Sequence, residues 1–122
     1  FKYPAQLDDV RAAIRYIEEQ AEPLKLDRNQ FAIWGYSAGG HLAALAALYP
    51  EDGLLRPKVC VAGGAPCDFT EIPENNTTLK PFLGGTRKDI PEIYREASPV
   101  SHVTSDDPPV FFINGDNDLL VP

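Results

Sequence analysis

The chain has 122 residues, 11 of them basic and 18 acidic, giving a net charge of −7, and 43% are hydrophobic. That length holds one ordinary domain, the near-average composition excludes a disordered or collagen-like chain, and two cysteines do not make a disulfide scaffold. The acidic balance argues against a nucleic-acid partner, and no apolar run is long enough to span a bilayer.

The first element is an amphipathic helix. Leu7, Val10, Ile14 and Ile17 recur at steps of three and four, with Asp8, Asp9, Arg11, Arg15, Glu18 and Glu19 on the other face. Pro23 closes it. After the polar turn Leu26–Gln30, the short apolar run Phe31-Ala32-Ile33-Trp34 predicts a strand buried on both faces. Gly35 to Gly40 interrupts it, and a Leu/Ala-rich run to Tyr49 predicts a helix apolar nearly all round, which belongs in an interior.

Val59-Cys60-Val61-Ala62 predicts a second buried strand, ended by Gly63-Gly64. From 65 to 109 the pattern breaks into a cap-like irregular excursion, with one short helical candidate from Pro91 to Ala97. Val110-Phe111-Phe112-Ile113 is the third expected strand. Helices alternating with buried strands predict an α/β domain with a parallel sheet. The absence of methionine, the opening on Phe1-Lys2-Tyr3-Pro4 and the ending on Leu120-Val121-Pro122 read as one incomplete domain, 1–122, from inside a longer protein.

Gly35-Tyr36-Ser37-Ala38-Gly39 fits G-x-S-x-G, the nucleophile elbow. A serine on a tight strand-to-helix turn projects its hydroxyl above the sheet edge, and glycines two residues either side, Gly35 and Gly39, remove side chains that would collide there. The Ala38 N–H is then expected to point where an oxyanion forms. A strand before the motif and a helix after it supply the context it requires. The alternative is a serine in an ordinary glycine-rich turn; a phosphate-loop reading fails because no Lys-Ser/Thr pair follows.

With GYSAGGHLAA, the segment Ser98-Pro99-Val100-Ser101-His102-Val103 and the ending Asn-Gly-Asp-Asn-Asp-Leu-Leu-Val-Pro, the chain resembles the α/β-hydrolase superfamily. The resemblance is closest to the acetyl-esterase/lipase-like branch, including feruloyl-esterase-like carboxylesterase domains. It covers nearly the whole chain but only the middle of such a domain, and implies that the three strands are the family's adjacent fifth, sixth and seventh. It also implies that Asp118 is the triad acid, with Asp116 of the same loop as runner-up.

Triad order in this fold is Ser, Asp, His, and no histidine follows Asp118. His41 and His102 both read as structural, so the base is expected outside this chain, as is the second oxyanion donor.

The expected function is a serine hydrolase acting on small or medium carboxylic esters, with Ser37 as nucleophile and the isolated chain inactive. A prolyl-oligopeptidase-type peptidase domain and a non-catalytic binding module are the alternatives. No cofactor and no metal site are expected, since two His and two Cys show no ligand spacing. Cys60 reads as a core residue and Cys67 as a loop residue near the site; strand placement disfavours a disulfide between them. Phe69, Phe82, Leu83 and Tyr94 are candidates for an acyl or leaving-group pocket. Asn75-Asn76-Thr77-Thr78 holds two overlapping glycosylation sequons, meaningful only in a secreted eukaryotic protein.

Overall fold

A computed structural model describes residues 1–118 and Val121; Leu119, Leu120 and Pro122, part of the ending that carries the family resemblance, lie outside the described residues. Among the described residues the order is α1 (Ala5–Glu19), β1 (Ala32–Tyr36), α2 (Ala38–Leu48), β2 (Val59–Gly63), α3 (Lys80–Leu83), α4 (Pro91–Glu96), a 3-10 turn (Pro99–His102) and β3 (Val110–Ile113). The three strands form one parallel sheet in the order β1-β2-β3. The architecture is α/β with adjacent parallel strands, as the sequence predicts.

Helix α2 explains why its sequence is apolar on every side. Its Ala43 and Ala47 pack on Cys60 and Ala62 of β2, with Ile33 and Val110 alongside. Its Leu45 and Ala46 face the opposite way, into a cluster with Leu7 and Ile14 of α1 and with Phe69, Leu83, Tyr94 and Ala97 of the excursion. The helix is therefore the middle of a sandwich. Burying Leu7 or Leu45 in full contributes about 1.5–3 kcal/mol each. Of the predicted stripe on α1, Leu7 and Ile14 are buried and Val10 is partly so, but Ile17 is exposed one turn beyond the contact.

One expectation fails. The strands are not buried on both faces, because α2 covers only one. Register pairs Trp34 with Val61 and Phe111, and Tyr36 with Gly63 and Ile113. These residues share the opposite face, where Trp34, Tyr36, Phe111 and Ile113 are all more than half exposed. A continuous apolar run thus forms a strand of which only one face is covered among the described residues.

The excursion carries more structure than the single helix expected. Helix α3 is one turn, closed by Gly84 at φ 103, and α4 runs from Pro91, where a proline fits the first helical turn. Ser98 is fully buried, donates its hydroxyl to the Tyr94 carbonyl at 2.7 Å and accepts the Phe69 N–H at 2.8 Å. Arg56 fastens the other end of the molecule, donating to the Ala47 carbonyl at the end of α2 and pairing with Asp107 at 2.8 Å before β3.

Candidate functional site

The parallel strands end at one edge, at Tyr36, Gly63 and Ile113, so the segments after them emerge side by side. Ser37 follows β1 with φ 54 and ψ −123, a left-handed backbone that costs a non-glycine residue about 1–3 kcal/mol. Its own backbone contacts hold it there. The Ser37 N–H donates to the Gly63 carbonyl at 2.7 Å, and the Ser37 carbonyl accepts the His41 N–H at 3.0 Å, which starts α2. The side chain is exposed at the sheet edge. Ala38 is the first residue of α2, where backbone N–H groups have no carbonyl one turn back and carry the positive end of the helix dipole.

The turn is tight enough to dictate glycines. A Cβ on Gly35 would stand 2.1 Å from the Gly39 carbonyl oxygen, so no side chain fits. At Gly39 itself an added Cβ would meet nothing within 4 Å, so the crowding expected on both sides of the serine falls on one side only. The second crowded position is Gly40, whose Cβ would meet the Gly63 carbonyl at 2.9 Å and the Ala65 Cβ at 3.0 Å. Sequence reasoning missed it, although the doublet Gly39-Gly40 was there to read. It also missed Gly63, which leaves room for the Tyr36 ring: an added Cβ would lie 2.7 Å from the Tyr36 Cδ2.

Asp118 lies in the loop after β3, its N–H donating to the Gly115 carbonyl at 3.1 Å and its Oδ1 accepting the Val121 N–H at 3.0 Å. Asp116 is exposed in the same loop. The two histidines are held elsewhere. His41 is buried, its Nε2 donates to the Ala97 carbonyl at 2.7 Å, and burial keeps its pKa below the usual value. His102 donates from Nε2 to the Glu96 carbonyl at 2.7 Å and stacks on Tyr49 at 4.0 Å. Both thus tie the excursion to the rest of the chain.

Cys60 is fully buried and Cys67 is partly buried; both are free thiols. Of the four candidate pocket residues, Phe69 and Phe82 line a groove that also reaches Ala38. Leu83 and Tyr94 do not take part: both are core residues, and the Tyr94 hydroxyl donates to the Gly85 carbonyl.

The BD-FAE family profile matches residues 1–122. The chain is 35% identical to "Esterase LipQ" of Mycobacterium tuberculosis over 98% of its own length and 32% of that protein's. Among solved structures it superposes on a "Truncated form of carbohydrate esterase from gut microbiota" with a TM-score of 0.88 at 28% identity, covering 99% of this chain and 52% of that one. It superposes on a bifunctional GH43-CE protein of Bacteroides eggerthii with a TM-score of 0.85 at 31% identity, covering 99% and 19%. The chain thus spans about a third of LipQ and half of the carbohydrate esterase. A match along the whole chain, on a sheet of adjacent parallel strands with flanking helices, leaves one conclusion: this chain belongs to the BD-FAE family of α/β-hydrolase esterases.

Proposed function

We propose that these residues carry the nucleophile and the acid of a serine carboxylic ester hydrolase. The observation behind this reading is the positive φ of Ser37 between a parallel strand and a buried helix, a strained turn that leaves the serine exposed at the end of the sheet. The names of LipQ and of the carbohydrate esterase favour an ester over a peptide substrate.

The Ser37 hydroxyl attacks the ester carbonyl carbon while a histidine takes its proton. The Ala38 N–H donates to the oxyanion that forms. As the intermediate collapses, the C–O bond to the alcohol breaks, the histidine returns the proton to the departing oxygen, and an acyl-serine remains. Water repeats the sequence and releases the acid. Asp118 orients the histidine and stabilises it as an imidazolium. That base is neither His41 nor His102, whose Nε2 atoms are both spent on backbone carbonyls.

The test is covalent labelling of the intact protein by a fluorophosphonate, together with ester turnover. Ser37→Ala is expected to abolish labelling and lower kcat by at least about a thousandfold. Turnover that survives this substitution rejects the assignment. A natively folded wild-type protein that neither labels nor hydrolyses any ester would reject the hydrolase reading.

A further inference from the structure

The strained backbone of Ser37 is tied through its N–H to the Gly63 carbonyl at 2.7 Å. Gly63 is followed by Gly64, which has φ 48. Two successive glycines are the least restricted stretch a chain can have, because neither carries a Cβ to limit its dihedrals. The direction of the Gly63 carbonyl is therefore set by its surroundings. On the helix side stands Gly40, where an added Cβ would come within 2.9 Å of that oxygen. Toward β3, the Gly64 N–H donates to the Ile113 carbonyl at 2.8 Å. On the sheet face that α2 leaves open, the ring of Tyr36 closes the third side.

That ring follows the two glycines along one edge. A Cβ on Gly63 would stand 2.7 Å from the Tyr36 Cδ2 and 3.4 Å from its Cε2. A Cβ on Gly64 would stand 3.5 Å from Cε2, 3.3 Å from Cζ and 3.4 Å from Oη. The ring edge from Cδ2 to the hydroxyl thus runs along Gly63-Gly64 in chain order. Tyr36 is also the register partner of Gly63 across β1 and β2. The residue before the serine and the residue that accepts the serine N–H are therefore held together twice, by strand pairing and by the ring. With Tyr36 66% exposed, its ring adds little to the core; what it covers is the support of the elbow.

We propose that Tyr36 is a positioning residue for the nucleophile, its ring clamping the Gly63-Gly64 segment and so fixing the carbonyl that holds the Ser37 N–H. The inference rests on Ser37 acting as proposed above. Without the ring the glycine pair is free to turn, the Ser37–Gly63 hydrogen bond loosens, and Ser37 relaxes toward an unstrained backbone. The Ser37 hydroxyl and the Ala38 N–H move together, since they flank one peptide bond. A displacement of about 1 Å at reacting groups costs roughly a hundredfold in rate, whereas binding made by other residues is retained. The clamp uses the flat ring and not the hydroxyl.

The experiment measures kcat and KM of the intact protein for one ester, with the active serines in each sample counted by fluorophosphonate titration to completion. Tyr36→Ala is expected to lower kcat per titrated serine by about ten- to a hundredfold while KM stays within about twofold. Tyr36→Phe keeps the ring and is expected to match the wild type. Gly63→Ala pushes the ring away and should lower kcat in the same way. The double variant Tyr36→Ala/Gly63→Ala should lose no more than the worse single variant, because both changes remove one contact. A ring that only stabilises the fold would lower the melting temperature and the titratable fraction but leave the kcat of each titrated serine unchanged. That result in Tyr36→Ala overturns the inference, as does an equal loss in Tyr36→Phe or full additivity in the double variant. A wild type that neither titrates nor hydrolyses rejects Ser37 as nucleophile; a wild type that does both, with Tyr36→Ala equally active, rejects the clamp alone.

Discussion

The Cα of Gly35 faces the backbone of Gly39 so closely that a Cβ there would lie 2.1 Å from the Gly39 carbonyl oxygen. Backbone on both sides leaves nothing flexible to give way. Gly35→Ala is expected to destabilise the fold by about 3 kcal/mol or more, at or above the upper end for overpacking. Gly40→Ala, at 2.9 Å from the Gly63 carbonyl, is expected to cost about 1–3 kcal/mol. Gly39→Ala meets open space inside a helix and is expected to be neutral or to stabilise by up to about 1 kcal/mol. Urea unfolding of the three variants checks the ranking; equal costs at all three positions would refute it.

Ser98 holds the excursion in place from inside the core. Ser98→Ala removes the acceptor of the buried Phe69 N–H, and an unpaired buried donor costs about 1–3 kcal/mol. Phe69 also lines the groove that reaches Ala38, so the variant is expected to lower ester turnover as well as stability. Ser98→Thr keeps the hydroxyl and serves as the control. A melting temperature unchanged in Ser98→Ala would show that the hydrogen bond contributes nothing net.

Stability should depend on pH through His41. Burial lowers its pKa below the ordinary 6.5, with the Ala97 hydrogen bond opposing the shift. The unfolded chain therefore binds the proton more readily than the folded one. The stabilising contribution is complete above about pH 6.5 and is lost as pH falls through the lower folded value. Urea midpoints should drop between pH 8 and pH 5, above the carboxylate range in which Asp107, whose burial is outweighed by its Thr104 and Arg56 partners so that its pKa is lowered, would add its effect. In His41→Gln this segment of the profile should flatten. A profile equally steep in that variant assigns the slope to another group.

The thiols should be protected to different degrees. Burial first, and the neighbouring Cys67 second, push the Cys60 thiol up to about 11. Burial also raises Cys67, which is nevertheless partly exposed. At pH 8, iodoacetamide should modify Cys67 slowly and Cys60 only after denaturation. Equal rates for Cys60 in native and denatured protein would contradict its place in β2.

The elements and the elbow were legible because they are local. The stripe on α1, the apolar α2 and the run Val110–Ile113 each announce themselves within a dozen residues, and Gly35-Tyr36-Ser37 carries its turn in its own spacing. What the sequence hid is set by contacts distant in the chain. His41 meets Ala97 across 56 positions, and Ser98 meets Phe69 across 29; no periodicity encodes either. Gly40 is required by Gly63 and Ala65, which arrive only when β2 pairs with β1. The apolar run of β1 predicts burial on both sides because hydrophobicity records what a strand prefers, while its covering is set by elements distant in the chain. Asp118 rests on family resemblance rather than on any local signal.

Trp34 is the only tryptophan in the chain, and it lies 70% exposed on the sheet face that α2 does not cover. That placement gives the protein a built-in optical probe. Indole emission shifts to shorter wavelength and resists quenching by iodide when water is withdrawn from it. A single spectrum therefore reports whether this face is wet or covered, separately from anything that happens at Ser37 on the edge of the same sheet.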